Sequence, residues 1–183
     1  LHETLRVFCT DIKRYKFELP SAILCEQLEY YEDKISVRGI SDAQKERFIK
    51  DAGTAMQSFL VWGKSAERLK ISDLQSFKTL ETVFNQNFVS ETGAPPDPTK
   101  PNKLKKIATG KGHISSPHDP EVRYANKGKK KWLGFKAQVA ETTNDGQDDI
   151  NFITFIDISE ATDHDGSIVP AFIEDQVNRN ILP

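Results

Sequence analysis

Cysteine, methionine and long apolar runs are scarce in this 183-residue sequence, and each scarcity narrows the class of protein. The two cysteines, Cys9 and Cys25, have a spacing typical of neither a disulfide framework nor a zinc site. We expect both to be small core residues in a reducing, cytoplasmic setting. No apolar stretch approaches the roughly 18 residues of a membrane span, so no membrane partner is predicted.

Common markers of catalysis are also missing. The sequence has neither the Walker A nor the dinucleotide-binding glycine pattern, which argues against a loop that cradles nucleotide phosphates. His113, His118 and His164 have no cysteine or second histidine at ligand spacing, so no zinc site is expected.

The ends of the sequence carry no start or leader signal. Leu1 lies within a predicted helix, and another predicted helix ends just before Leu182-Pro183. Met56 is the only methionine. We expect an internal piece of a longer cytoplasmic protein.

Residues 1–91 have the hydrophobic period of amphipathic helices. Ser41 to Gln44 show a capping-box pattern before a long apolar stripe, and Ser21 and Ser72 stand where two further helices would begin. Four such helices predict a small helical bundle. Its expected apolar positions are Leu1, Leu5, Phe8, Ile12, Tyr15, Leu24, Leu28, Tyr31, Phe48, Ala52, Met56, Phe59, Gly63, Leu74, Phe77, Leu80, Phe84 and Phe88.

Residues 92–116 are rich in proline, glycine and lysine, which predicts a linker or a long surface loop. Residues 117–183 form the last predicted region, which begins with a hydrophobic period of two and ends with a helix. Residues 131–142 alternate as a half-buried strand does, with Leu133, Phe135, Ala137 and Val139 on the apolar side.

A second strand is predicted over residues 150–159, after turn chemistry at Asn144-Asp145-Gly146. Its residues are apolar on both faces, which favours a central strand covered on two sides. Ser167 would cap a last helix. These elements predict an α+β class, and because two strands alone are not stable, further strands would have to come from outside the chain and Phe152, Phe155 or Ile156 would be exposed.

Charge is divided unevenly along the second half. Residues 100–136 carry 11 basic and 2 acidic groups, whereas residues 137–175 carry 10 acidic groups and no basic one. The basic residues near Tyr124 and Trp132 suit contact with a phosphate backbone and stacking on bases or sugars. A solvated turn that keeps a strand soluble explains the same cluster, and the sequence leaves both interpretations open. The cluster comprises Arg123, Lys127, Lys129, Lys130, Lys131 and Lys136.

Several carboxylates lie near the predicted sheet. Asp119, Glu121 and Asp157 could hold Mg²⁺ if they converge, because hard oxygen ligands suit this cation. Asp157 is the most unusual, since a charge within an apolar strand is costly without a partner. Glu141, Asp163 and Asp165 are candidates of the same kind. The alternative is that most of these six carboxylates are turn, cap or solvated residues.

Three segments resemble bacterial insertion-sequence transposases of the DDE class, whose catalytic core has a ribonuclease H-like fold. Residues 115–142, SSPHDPEVRYANKGKKKWLGFKAQVAET, are similar to one segment of these enzymes, and residues 150–183 continue the similarity. Residues 74–88, LQSFKTLETVFNQNF, resemble the helix that precedes this segment. The resemblance implies a helical region followed by part of a ribonuclease H-like mixed sheet with a flanking helix.

The resemblance carries no catalytic residue onto this chain. The first Asp of the family stands in an Asp-Ser-Thr context and the second in an Asp-Ala-Gly-Tyr context, and neither occurs in residues 1–183. What it implies instead is a scaffold, with residues 131–142 and 150–159 as second and third strands. In the parent protein, three carboxylates would bind two Mg²⁺ ions for DNA cleavage and strand transfer.

We therefore expect an internal fragment of a DNA transposase that binds double-stranded DNA, with a homo-oligomer possible in the parent. Two alternatives remain: a metal-dependent nuclease with a local site at Asp119, Glu121 and Asp157, and a helical interaction module without activity.

Overall fold

The computed structural model describes residues 1–33, 39–65, 69–90, 104–108, 112–143 and 150–180. Within these residues the chain divides into two compact units, Leu1–Pro120 and Glu121–Pro183. The mixture of helices with small antiparallel sheets confirms the α+β class. The elements are α1 (His2–Arg14), α2 (Ala22–Glu32), α3 (Asp42–Gly63), α4 (Leu69–Ser72), α5 (Gln75–Asn87), β1 (Phe88–Ser90), β2 (Leu104–Lys106), β3 (Arg123–Lys127), β4 (Lys130–Glu141), β5 (Ile153–Glu160) and α6 (Val169–Asn178).

The first unit is built on the predicted helices, and its core is where their apolar stripes meet. Phe8 of α1 contacts Phe59 of α3 and Phe77 of α5, with ring centroids 5.3 and 5.9 Å apart. Most of the expected apolar positions are buried, but Tyr15 is exposed because α1 ends at Arg14. The core of the described chain therefore lies mainly in this unit.

Two of the three predicted helix starts are confirmed. The hydroxyl of Ser21 accepts a hydrogen bond from the Leu24 N–H, and Ser41 and Gln44 form a reciprocal capping box. The start at Ser72 is wrong. Ser72 is the last residue of α4, and α5 begins at Gln75 without a side-chain cap.

Two glycines let aromatic rings approach α3 closely. A Cβ atom on Gly53 would lie 2.7 Å from the ring of Phe88, and one on Gly63 would clash with the ring of Phe77. Both rings are almost fully buried. The absence of a side chain at these positions is therefore a packing requirement of the core.

The cysteine prediction holds for one residue only. Cys9 is fully buried, and burial raises the pKa of its thiol to about 12. Cys25 is exposed, which contradicts the expected core position. It follows Leu24 on α2, and in a helix adjacent residues point in directions about 100° apart, so only Leu24 faces the core.

Part of the predicted linker is ordered into a strand. β2 pairs antiparallel with β1, with Val89 opposite Lys105. The prolines at positions 95, 96, 98 and 101 lie outside the described residues.

The second unit contains a three-stranded antiparallel sheet in the order β3-β4-β5. A two-residue turn joins β3 to β4, and Gly128 in that turn has φ +62°, a conformation that glycine adopts without strain. β5 pairs with residues 135–141 of β4, with an irregularity of register between Ala140 and Glu141. The predicted turn at residues 144–146 lies outside the described residues.

The burial predicted for the apolar side of β4 is wrong, whereas the predicted exposure is confirmed for Phe152 and Ile156. On β4 the side chains of Leu133, Phe135 and Val139 are exposed, and α6 contacts the sheet on the opposite face. Phe172 of α6 contacts Phe155 of β5 at 5.4 Å between ring centroids. Within the described residues β5 pairs with β4 alone, so it is an edge strand of this sheet. The predicted central position depends on strands from outside the chain and stays a prediction.

The last helix begins later than predicted. Ser167 does not cap it. His164 caps a 3₁₀ turn over Asp165–Ile168, with its Nδ1 accepting from the Gly166 N–H at 3.0 Å, and α6 starts at Val169.

Candidate nucleic-acid interface

Four of the six predicted DNA-contacting residues lie at the tip of the β3–β4 hairpin. Lys127 ends β3, Lys130 and Lys131 begin β4, and Lys129 lies in the turn. The register sets Lys127 directly opposite Lys130 and Asn126 opposite Lys131. The structure thus brings together in space the lysines that the sequence places in one run; we call them the tip lysines.

The tip lysines are exposed, and within the described residues none of them forms an ion pair. Like charges placed directly opposite each other on neighbouring strands repel, so the Lys127–Lys130 pair costs the hairpin some stability. An anion bound at the tip would relieve that repulsion. The geometry suits a polyanion whose charges are regularly spaced, as phosphates are.

Arg123 has a different environment from the tip lysines. Its Nη2 lies 2.8 Å from Oε1 of Glu160, and its side chain is only 14% exposed. The ion pair joins the first residue of β3 to the last residue of β5. Its charge is therefore already balanced by a neighbour on the sheet.

Lys136 is also engaged. Its Nζ lies 2.8 Å from Oδ1 of Asp165 and donates a hydrogen bond to the backbone carbonyl of Asp163. The hydrogen bond from Lys136 and its positive charge lower the pKa of the Asp165 carboxyl below its ordinary value. The contact ties β4 to the turn before α6, so Lys136 acts as part of the scaffold in this structure.

The two aromatic residues predicted to accompany the lysines are on different faces of the hairpin. Tyr124 is exposed and lies opposite Leu133, whereas Trp132 is half-buried and lies opposite Ala125. Only Tyr124 presents much of its side chain to solvent.

The proposed local metal site is not formed by the described residues. They contain no group of three or more His, Cys, Asp or Glu side chains that could hold a metal ion. Asp157 is half-buried on β5 opposite Gln138, and Asp119 and Glu121 do not join it in such a group. The described carboxylates therefore do not form the Mg²⁺ site that the local nuclease alternative requires.

One charged cluster in the first unit has no clear sequence signal. The Glu3 carboxylate contacts the Arg6 guanidinium at 2.6 Å and His118 Nε2 at 2.8 Å. The hydrogen bond from Arg6 is the main reason why the pKa of Glu3 falls to about 2, against the opposing effect of burial. The Glu3–Arg6 pair could have been predicted, because residues at spacing i, i+3 are neighbours on a helix. The contact with His118 could not, because His118 is distant in the sequence.

A groove of about 590 Å³ lies between the start of α2 and the second half of α3. Ile23, Val61 and Trp62 are among its lining residues, and none of the lining side chains is titratable. It thus offers no acid or base for catalysis. No helix among the described residues is both long enough and apolar enough to cross a membrane.

Comparison with known proteins adds no identification. No protein-family model matches the sequence, and no curated protein or solved structure matches it significantly.

Proposed function

We propose that this chain is part of a cytoplasmic DNA transposase of the DDE class, and that it contacts the backbone of double-stranded DNA through the tip lysines. The proposal combines the resemblance of residues 72–183 with the geometry of the hairpin. It assigns the chain a DNA-positioning role within DNA recombination by an insertion sequence.

The observation that carries the DNA contact is the set of four exposed tip lysines that have no ion-pair partner among the described residues. Lys136, by contrast, is neutralised by Asp165. A cluster that tolerates the repulsion between Lys127 and Lys130 is consistent with a surface that binds anions.

The second unit also supports the finer proposal that it belongs to a ribonuclease H-like sheet. Residues 135–141 of β4 pair with β5 on one edge, and no described strand pairs with their other edge. Consecutive strands usually lie side by side, so the Asp-bearing first strand of the family would pair with that edge. The exposed Val169, Ile173 and Val177 of α6 leave a further surface for the rest of such a core.

No chemical step is assigned to this chain. The family's catalytic carboxylates have no counterpart in residues 1–183, so the Mg²⁺ chemistry of the proposed parent would belong to segments outside them. The role of this chain is then to hold DNA in place while other segments act on it.

The test is a fluorescence-anisotropy titration of the full chain against a short DNA duplex between about 25 and 200 mM salt. We compare the wild type with the triple variant Lys127→Gln/Lys129→Gln/Lys130→Gln. Each lost phosphate contact should reduce the slope of log affinity against log salt by about 0.9, so the triple variant should lose about 2 to 3 units of slope.

The matched control is Lys50→Gln/Lys70→Gln/Lys78→Gln, which removes the same charge from exposed positions on the helices of the first unit. It should leave the slope nearly unchanged. Equal losses in both variants would mean that net charge alone drives binding. An unchanged slope in the hairpin variant would show that the tip lysines are not the contact surface.

A further inference from the structure

The sheet of the second unit has an unusual distribution of polarity between its two faces. The face that α6 contacts carries Trp132 and Phe155, and it also carries polar residues of β4 and β5, among them Lys136, Gln138, Asp157 and Ser159. The other face, which we call the open face, carries aliphatic and aromatic residues. An antiparallel sheet with one solvated face normally shows the reverse arrangement.

The register defines the open face. Residues directly opposite each other share a face, and the register sets Val139 opposite Ile156 and Ala137 opposite Ile158. The exposed fractions of Val139, Ile156 and Ile158 are 56%, 61% and 66%. The open face also carries Tyr124, Leu133 and Phe135, which are exposed, and Glu160, which lies opposite Phe135 and forms the ion pair with Arg123.

A contiguous apolar surface of this kind marks an interaction site, whereas single exposed apolar residues do not. The second unit also has little core of its own. Its buried apolar side chains among the described residues are those of Val122, Ala125 and Ala161. Covering the open face would therefore remove from water several large apolar side chains that this unit leaves exposed.

The charges at the two ends of the open face identify the partner. Along β4 this face carries Lys131, then four apolar residues, then Glu141. Both charged residues are exposed. Such a face is complementary to its own copy in antiparallel orientation, because Lys131 of one chain then meets Glu141 of the other at both ends of the contact.

We propose that the open face binds a second copy of this chain. The two sheets pack face to face about a two-fold axis, with the β4 strands antiparallel and the aliphatic residues of β4 and β5 at the centre. An isologous contact of this kind uses the same patch on both subunits and closes at a dimer. The inference does not depend on DNA binding, and it is tested without DNA.

The contact is small. Stable interfaces use roughly 20 to 30 residues per side, and the open face offers far fewer, so we expect a dissociation constant of about 10–100 µM. Sedimentation equilibrium of the full chain from about 5 to 500 µM should show a reversible change from 20.7 kDa to twice that mass. A chain that stays monomeric over this range would overturn the proposal, as would open-ended aggregation.

Two lysine substitutions locate the contact. Ile156→Lys places a charge at the centre of the open face and should weaken dimerisation by at least about tenfold. Ile173→Lys makes the same chemical change on exposed α6 and should leave the dissociation constant unchanged. Circular-dichroism melts verify that both variants fold. Loss of the dimer in Ile173→Lys alone would assign the contact to α6 and refute the proposal.

A charge exchange tests the orientation. Lys131→Glu sets two carboxylates against each other at both ends of the dimer and should weaken it about tenfold at low salt. The double variant Lys131→Glu/Glu141→Lys restores opposite charges and should return the dissociation constant to within about threefold of the wild type. A double variant as weak as Lys131→Glu would contradict the antiparallel arrangement.

Discussion

Arg123 and Glu160 form an ion pair at 2.8 Å that joins the start of β3 to the end of β5. β3 and β5 do not pair with each other, since each pairs with β4 along a different stretch of that strand. The ion pair is therefore a direct side-chain link between the two ladders of the sheet. It also removes Arg123 from the set of cations that are available to a ligand.

Glu160→Gln should loosen the sheet of the second unit. The Arg123 side chain is only 14% exposed, and Glu160→Gln removes the carboxylate that lies 2.8 Å from its guanidinium and balances its charge. We expect amide hydrogen exchange in β3 and β4 to accelerate about tenfold, equivalent to about 1.4 kcal/mol, with no change in the first unit. Glu174→Gln, which removes a charge from an exposed position on α6, should have no such effect. Equal exchange in both variants would show that the ion pair adds nothing to stability.

Gly53→Ala should destabilise the first unit, although alanine favours helices over glycine by about 1 kcal/mol. The new Cβ would lie 2.7 Å from the Phe88 ring, which is buried and packed against Phe84 with ring centroids 5.5 Å apart. Overpacking of this kind costs about 1–3 kcal/mol, so after subtraction of the helix preference the net loss in urea denaturation should be up to about 2 kcal/mol.

The same position allows a test of cause. Thr54→Ala, at the exposed neighbouring position on α3, should change stability by less than about 0.5 kcal/mol. If the clash with Phe88 is responsible, Gly53→Ala should cost less in a Phe88→Leu background than in the wild type. An equal cost in both backgrounds would show that the loss of stability does not come from a clash with Phe88.

The parts of the fold that depend on neighbouring residues were predictable from the sequence. The capping box at Ser41 and Gln44 and the buried stripe of α3 follow from local hydrogen bonding and from a period of 3.6 residues. The burial of β4 was not predictable in the same way. Alternation shows that the two faces of a strand differ, but which face is covered depends on α6, through contacts such as that of Phe172 with Phe155.

The candidate DNA interface, too, was predictable only where it depends on residues that are close in sequence. The tip lysines are adjacent in sequence, so a hairpin necessarily brings them together. Arg123 and Lys136 were assigned to the same cluster because they are close in sequence. Their acidic partners, Glu160 and Asp165, come from later segments, and only the folded structure reveals those ion pairs.

The stabilising effect of Glu3 should depend on pH. Because Arg6, and to a lesser degree His118, lower the pKa of Glu3 from 4.5 to about 2 in the folded chain, its contribution is complete above pH 4.5 and is lost as the pH falls towards 2. With 41% of the side chain exposed, solvent screening reduces this contribution to roughly 1 kcal/mol. The difference in unfolding free energy between wild type and Glu3→Gln should therefore be present at pH 6 and shrink below pH 4.5. A difference that is constant with pH would show that the ionised carboxylate is not responsible.

The purified full chain should not cut DNA by itself. Two-metal phosphoryl transfer needs several carboxylates around ions roughly 4 Å apart, and the described residues contain no such group. Supercoiled plasmid incubated with the chain and Mg²⁺ or Mn²⁺ should therefore remain intact, while a commercial nuclease nicks it under the same conditions.

If nicking is observed, Asp157→Asn distinguishes a local nuclease site from a contaminating enzyme, because it removes one candidate ligand at nearly constant volume. Metal-dependent nicking by the wild type that disappears in Asp157→Asn would replace the transposase proposal with a local nuclease site. Nicking that persists equally in the variant would point to a contaminating enzyme and would leave Asp157 without a catalytic role.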